Sequence, residues 1–225
     1  MGVGSVVVAH AGGGTPAALT RFHQRVAAET LTARSGSGAS RLAPALAHSA
    51  VDLNPHQIEA AAFALAALPT GGAVLADEVG LGKTIEAALV MTQRWWERRR
   101  RLLLITPASL RKQWAQELSE KFSLPSVILD AKRVKEMAKA GKDDPLTTAE
   151  GVVILSYEYA ARISDRLRVI PWDLVVFDEA HKLRNVYRAP ETSRSAVLRD
   201  ALADRQKLLL TATLNRPGFV GGSNS

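Results

Sequence analysis

Ala73-Val74-Leu75-Ala76-Asp77-Glu78-Val79-Gly80-Leu81-Gly82-Lys83-Thr84-Ile85-Glu86-Ala87-Ala88 is the stretch that decides how this chain folds. Four apolar residues run into a turn that carries two glycines, and the turn opens an amphipathic segment that continues to Trp96. Strand, Gly-rich loop and helix in that order form the context of a phosphate-binding loop. Gly80 and Gly82 let the backbone turn tightly and point N–H groups at phosphate oxygens. The N-terminus of the following helix adds partial positive charge. Lys83 would reach the β- and γ-phosphates and the Thr84 hydroxyl would ligate Mg²⁺, which makes ATP and Mg²⁺ the expected cofactors. The strict pattern has Gly where this chain has Asp77, and the competing reading is a fortuitous Gly-rich turn.

Working outward, short apolar runs alternate with longer amphipathic stretches from Asn54 onward, which is the signature of βαβ units. The pattern predicts strands over 73–76, 102–105, 127–129, 152–155, 174–177 and 208–210, and helices over 55–67, 83–96, 109–122, 131–140 and 192–202. Continuous apolar runs suit strands covered on both faces by helices. Asn54 is placed as an N-cap and Pro55 as a first-turn residue. The fold class expected is α/β, a parallel sheet with helices on both faces.

Downstream, Leu174-Val175-Val176-Phe177 runs into Asp178-Glu179-Ala180-His181. An acid at the end of a buried strand is costly without a partner, and Mg²⁺ on a bound phosphate is a natural one. Asp178 would hold that ion, directly or through water. Glu179 would polarise the attacking water as general base. His181 would hydrogen-bond in the interface that senses nucleotide. The plainer alternative is a helix N-terminus, where acids are favoured anyway.

Taken together, these motifs resemble the first lobe of superfamily-two helicases, in particular the Swi/Snf-like branch of double-stranded DNA translocases. The residues that carry the resemblance are 77–84, Ile105-Thr106-Pro107-Ala108-Ser109-Leu110, Gln113-Trp114, Leu155-Ser156-Tyr157, 178–181 and Leu210-Thr211-Ala212-Thr213. It implies a RecA-like P-loop NTPase lobe of DEAH-box type, over 51–213. It also implies that Gln57 reads the adenine edge, that Pro107, Ser109 and Ser156 touch a nucleic-acid backbone, and that Thr211 and Thr213 couple hydrolysis to lobe movement. The residues alone say less: a glutamine such as Gln57 is more often a surface residue, Ser109 reads first as an N-cap, and the two threonines could simply be turn residues. Family members carry a second lobe with arginines that stabilise charge on the γ-phosphate. That lobe is expected from elsewhere, in cis or in trans, and duplex DNA is the expected nucleic-acid partner. The other readings are an RNA helicase or restriction-type motor lobe, and a non-catalytic ATP-binding remnant.

The bulk properties fit. The chain has 225 residues, 47% hydrophobic and 23% charged, with a formal net charge of +7 that favours polyanionic partners. It has no cysteine, which excludes disulfides and thiolate metal sites and fits a cytoplasmic location. No run approaches the length of a membrane span. Residues 1–50 read as a flexible or loosely helical extension peripheral to the core, with a short helix over 20–32 and a Gly/Ser linker over 34–40. Residues 214–225 read as a flexible tail, with Leu214 where the family has Pro. Trp95-Trp96-Glu97-Arg98-Arg99-Arg100-Arg101 could grip nucleic acid by phosphate contact and stacking. The favoured reading is a solvated helix end with one tryptophan covering the core.

Overall fold

The computed structural model describes residues 38–76, 82–141, 143–187 and 193–212. Six strands, β1 (Gly72–Ala76), β2 (Leu102–Thr106), β3 (Ser126–Ile128), β4 (Val152–Ser156), β5 (Leu174–Phe177) and β6 (Lys207–Thr211), form one sheet in the order β1-β6-β5-β2-β4-β3. Every neighbouring pair is parallel. Parallel strands need crossover connections, and the intervening helices supply them. Two helices, α1 (Ala43–Ala47) and α2 (Pro55–Ala67), precede the sheet, and those between its strands are α3 (Lys83–Trp96), α4 (Arg111–Phe122), α5 (Ala131–Lys139), α6 (Pro145–Thr148), α7 (Tyr157–Arg162), α8 (Ser164–Val169) and α9 (Arg194–Ala201).

Alternation along the central strands shows why the runs are unbroken. In β2, Leu102 and Leu104 join one hydrophobic cluster with Leu65, Leu89 and Trp114. Leu103 and Ile105 join a second with Leu167, Trp172 and Leu198. β5 divides the same way, Leu174 and Val176 against Val175 and Phe177. Successive side chains point to opposite faces, so a strand with helices on both sides must be apolar at every position.

Register sets the edge on which chemistry can occur. Ala76 pairs with Thr211, Leu209 with Phe177, Phe177 with Ile105, and Thr106 with Ser156. The C-terminal ends of β1, β6, β5, β2 and β4 are therefore gathered on one edge, where open α/β sheets bind ligands.

All six expected strands form, and α2 and α3 have the expected bounds. Asn54 stands before α2 in extended conformation, and its N–H donates to Gln57 Oε1 at 3.1 Å, half of a capping box. Four features differ. α4 starts at Arg111, because Pro107 to Leu110 form a turn closed by Leu110 N–H to Pro107 O at 2.9 Å. Ser109 is thus an exposed turn residue and not the N-cap. α6, α7 and α8 lack the helical periodicity that would have announced them; they are four to six residues long and start from side-chain or turn caps. Asp178-Glu179 is followed by a 3₁₀ segment, Ala180–Tyr187, and not by an α-helix. Finally, Leu42 and Ala45 are fully buried in the core although their stretch was expected to lie outside it. The Arg41 guanidinium anchors this stretch to Glu97, Nε to Oε1 at 2.8 Å. The expected helix over 20–32, the loop residues 77–81 and everything from 213 onward lie outside the described residues.

Candidate functional site

α3 begins at the far side of the glycine-bearing loop. Gly82, its N-cap, has φ 98°, a left-handed conformation that costs glycine nothing. Space enforces the same choice, since a Cβ at Gly82 would collide with the side-chain amide of Gln57. Gln57 is itself 7% exposed, with its Oε1 held by the Asn54 N–H. α2 thus lays Gln57 against the start of α3, where Lys83 and Thr84 occupy the first turn, both half-buried. Gly80 belongs to residues 77–81, outside the described set.

Two strands away, β5 delivers Asp178 to the same edge. Its carboxylate accepts three hydrogen bonds: at Oδ2 from Thr106 Oγ1 and from Trp114 Nε1, both at 2.8 Å, and at Oδ1 from the Glu179 N–H at 2.9 Å. The Asp178 N–H donates to Ile105 O at 2.9 Å, which continues the β2–β5 ladder. Its carbonyl accepts from the Tyr157 hydroxyl at 2.7 Å. Burial raises the Tyr157 phenol pKa well above the usual range, and the charges of Asp178 and Glu179 push it the same way. Tyr157 is therefore a fixed donor.

Glu179 has φ 52°, one of three non-glycine residues with positive φ among the described ones. Such a conformation costs an L-residue roughly 1–2 kcal/mol and persists only where surrounding structure imposes it. Its carboxylate lies 3.1 Å from His181 Nδ1, Oε2 being the acceptor. Thr211, 5% exposed, ends β6 beside Ala76. Thr213 falls outside the described residues.

The expected backbone-contacting residues separate by exposure. Pro107 is half-buried and Ser109 exposed, in the turn after β2. Ser156 is 6% exposed, and its Oγ accepts from the Tyr159 N–H at 3.2 Å as the cap of α7.

Three residues gain positions that sequence reasoning had not given them. Thr106, Trp114 and Tyr157 stood inside quoted motifs, yet only pairing β2 with β5 and β4 and docking α4 brings all three to Asp178. A threonine ending an apolar strand and a tryptophan on a polar helix were the available signals.

The arginine-rich stretch lies elsewhere. α3 ends at Trp96 and the arginines precede β2, at the N-terminal ends of the strands. Trp95 packs against the core, with the Arg100 guanidinium 4.5 Å from its ring centroid. Trp96 stacks on His48 at 4.2 Å. Arg99 pairs with Asp173 at 3.5 Å.

The donor set fits Mg²⁺ and a nucleotide. A hydroxyl, Thr84, and a carboxylate, Asp178, are hard oxygen ligands of the kind Mg²⁺ takes one or two of, leaving its other positions to phosphates and water. The backbone N–H groups at the start of α3 are of the kind that bind an anion at a helix N-terminus.

Relatives place the chain. The SNF2-related domain matches residues 56–214. The uncharacterized ATP-dependent helicase YqhH of Bacillus subtilis is 36% identical over 187 residues, covering 76% of this chain and 30% of that protein. The RNA polymerase-associated protein RapA of Pectobacterium atrosepticum is 36% identical over 170 residues, covering 74% and 17%. RapA of Pectobacterium carotovorum is 39% identical over 149 residues, covering 64% and 15%. The chain thus spans less than a third of the length of these relatives. Among solved structures, the SWI2/SNF2 ATPase core of Sulfolobus solfataricus in complex with dsDNA superposes with a TM-score of 0.60 at 24% identity, over 74% of this chain and 33% of that one. The likeness in fold accords with a parallel sheet flanked by helices, and the domain match spans most of the sequence: this chain belongs to the SNF2-related domain family.

Proposed function

We propose that this chain is the ATP-binding lobe of a Swi/Snf-like, nucleic-acid-dependent ATPase that works with a second lobe supplied in cis or in trans. The observation that carries the reading is the C-terminal sheet edge. There the start of α3, with Gly82, Lys83 and Thr84, shares one edge with an Asp178 carboxylate fixed by three donors.

In this reading the backbone at the start of α3 and the Lys83 ammonium bind the phosphates of ATP. Gln57, packed against Gly82, faces the base. Thr84 and Asp178 hold Mg²⁺, which when bound neutralises charge on the transferring phosphoryl group. Glu179 orients the attacking water and accepts its proton. Its carboxylate is steadied by His181 Nδ1, so His181 senses the state of the site, and Thr211, at the end of β6, together with Thr213 couples hydrolysis to lobe movement. The three hydrogen bonds on Asp178 pre-set its direction, which removes reorganisation from the chemical step. Pro107 and Ser109 offer an exposed turn to a nucleic-acid backbone, and Ser156 acts by capping α7. Duplex DNA is the polymer proposed, and a cytoplasmic location belongs to the same reading. Among the described residues no helix is long and apolar enough to cross a membrane.

The test is ATP turnover by the purified chain with Mg²⁺, with and without duplex DNA, beside Lys83→Ala. Because the arginines of a second lobe can contribute ~10³-fold or more in rate, slow turnover is expected from this chain alone, stimulated by the duplex and abolished by the substitution. Turnover that Lys83→Ala leaves intact overturns the assignment.

A further inference from the structure

The turn between β2 and α4 has a donor to Asp178 at each end. Thr106, the last residue of β2, donates its hydroxyl to Asp178 Oδ2, and Trp114, in the first turn of α4, donates its indole N–H to the same oxygen, both at 2.8 Å. Between them, Pro107 to Leu110 form one hydrogen-bonded turn, and the Trp114 N–H closes the first helical bond onto Leu110 O at 2.9 Å. Arg111 Nε holds the same turn from its C-terminal side, donating to Ala108 O at 3.2 Å. Ala108 and Ser109 are exposed, whereas Thr106 and Trp114 are 0% and 3% exposed.

A buried indole has a single N–H and must find an acceptor. Here that acceptor is a carboxylate, a charge-assisted bond stronger than a neutral one. Trp114 packs in the same cluster as Leu104, Leu118 and Phe122, so its ring cannot turn independently of α4. A shift of the Pro107–Leu110 turn must therefore either move Asp178 Oδ2 or leave two buried donors without a partner. The second outcome is costly, so the carboxylate follows the turn.

We propose that Trp114, together with Thr106, is a positioning residue that links occupancy of the Pro107–Leu110 turn by a nucleic-acid backbone to the setting of Asp178 at the nucleotide site. The inference rests on the reading above, that the turn meets a polymer and Asp178 meets Mg²⁺·nucleotide. It adds the physical connection between them, which lies within one lobe. Coupling of two ligands is reciprocal, so the duplex alters affinity for Mg²⁺·nucleotide by the same factor as the nucleotide alters affinity for the duplex.

The experiment measures that factor by calorimetry, with a non-hydrolysable ATP analogue plus Mg²⁺ and a short blunt DNA duplex as probes. It compares the unsubstituted chain with Trp114→Phe and Thr106→Val. Phenylalanine keeps an aromatic ring in the core and removes the N–H; valine keeps the shape of threonine and removes the hydroxyl. The unsubstituted chain is expected to show coupling of roughly fivefold or more, and each variant to bring the factor to within about twofold of unity. A merely structural role would lower thermal stability and leave the factor unchanged, so folded variants with undiminished coupling overturn the proposal. Should Trp114→Phe fail to fold, Thr106→Val and the indole ¹H–¹⁵N signal of Trp114 in the unsubstituted chain decide. That signal is expected to shift when duplex alone is added, and a signal unmoved while other resonances shift overturns the link. A duplex that does not bind removes the nucleic-acid reading and the link with it; a duplex that binds with a coupling factor of one removes the link alone.

Discussion

At the scale of single residues, the Asp178 carboxylate is an acceptor with three donors around it, and that arrangement is sensitive to one atom. In Asp178→Asn the amide oxygen can take the place of Oδ2, but its NH₂ then faces the Glu179 N–H that Oδ1 had accepted. A partly buried donor–donor clash of this kind costs about 1–3 kcal/mol, measurable as a lowered denaturant midpoint with an unchanged slope. Glu179 behaves in the opposite sense. Its positive φ is a backbone cost, so Glu179→Gly is expected to hold or raise stability, by up to about 1 kcal/mol, while removing the acid proposed to orient water. A clear loss of stability in that variant would mean the His181 contact outweighs the strain. Tyr157 adds a pH signature. Its phenol pKa is raised in the folded state, so its contribution to stability is fully present below the ordinary tyrosine pKa of about 10. It is lost as pH rises above that value. Tyr157→Phe should flatten the alkaline fall in a melting-temperature profile. The sequence made Asp178 and Glu179 legible because acids after an apolar strand are conspicuous. It hid Thr106, Trp114 and Tyr157, because what they donate to lies 72, 64 and 21 residues away.

At the scale of elements, legibility followed periodicity and caps. α2 and α3 start where Asn54 with Pro55 and Gly82 with Lys83 announce them, whereas α6 to α8 are too short to bury a periodic face. Over residues 38–50 the expectation of a peripheral stretch fails, because a composition rich in Gly, Ala and Ser concealed two core residues, Leu42 and Ala45. The tie that holds it is a network at the end of α3. Glu97 accepts from Arg41 at 2.8 Å and from Arg94 and Gln93 at 3.2 Å. Arg94, 7% exposed, also donates to Gln206. Burial alone would raise the Glu97 pKa, but the hydrogen bonds from Arg41 and Gln93 and the charges of Arg41 and Arg94 outweigh it and hold the carboxyl below its ordinary range. Its stabilisation is present above the ordinary glutamate pKa of about 4.3 and is lost as pH falls through the lowered folded value. Glu97→Gln should cost about 2 kcal/mol at neutral pH, and the difference from the unsubstituted chain should shrink in acid.

At the scale of the whole sheet, the parallel arrangement separates two edges. The candidate site occupies the C-terminal ends of the strands, and Arg98 to Arg101 sit at the N-terminal end of β2, roughly 17 Å away for a five-residue strand. That separation is more than a Debye length at physiological salt. Reversing the charges of Arg98, Arg100 and Arg101 should therefore leave Mg²⁺·ATP affinity unchanged and the salt slope of duplex binding intact. A slope that falls by about one per arginine would instead assign them phosphate contacts. The strands and their both-face burial were readable from unbroken apolar runs, whereas strand order and the opposition of the two edges emerged only from pairing and register. The central claim is that the start of α3 and the end of β5 form one nucleotide site. Equilibrium binding of Mg²⁺·ATP to the unsubstituted chain, to Lys83→Ala and to Asp178→Ala tests it most directly. Lys83→Ala should weaken binding at least tenfold, and Asp178→Ala should weaken it only when Mg²⁺ is present. Binding equal in all three proteins, or a loss in Asp178→Ala that persists without Mg²⁺, would contradict it.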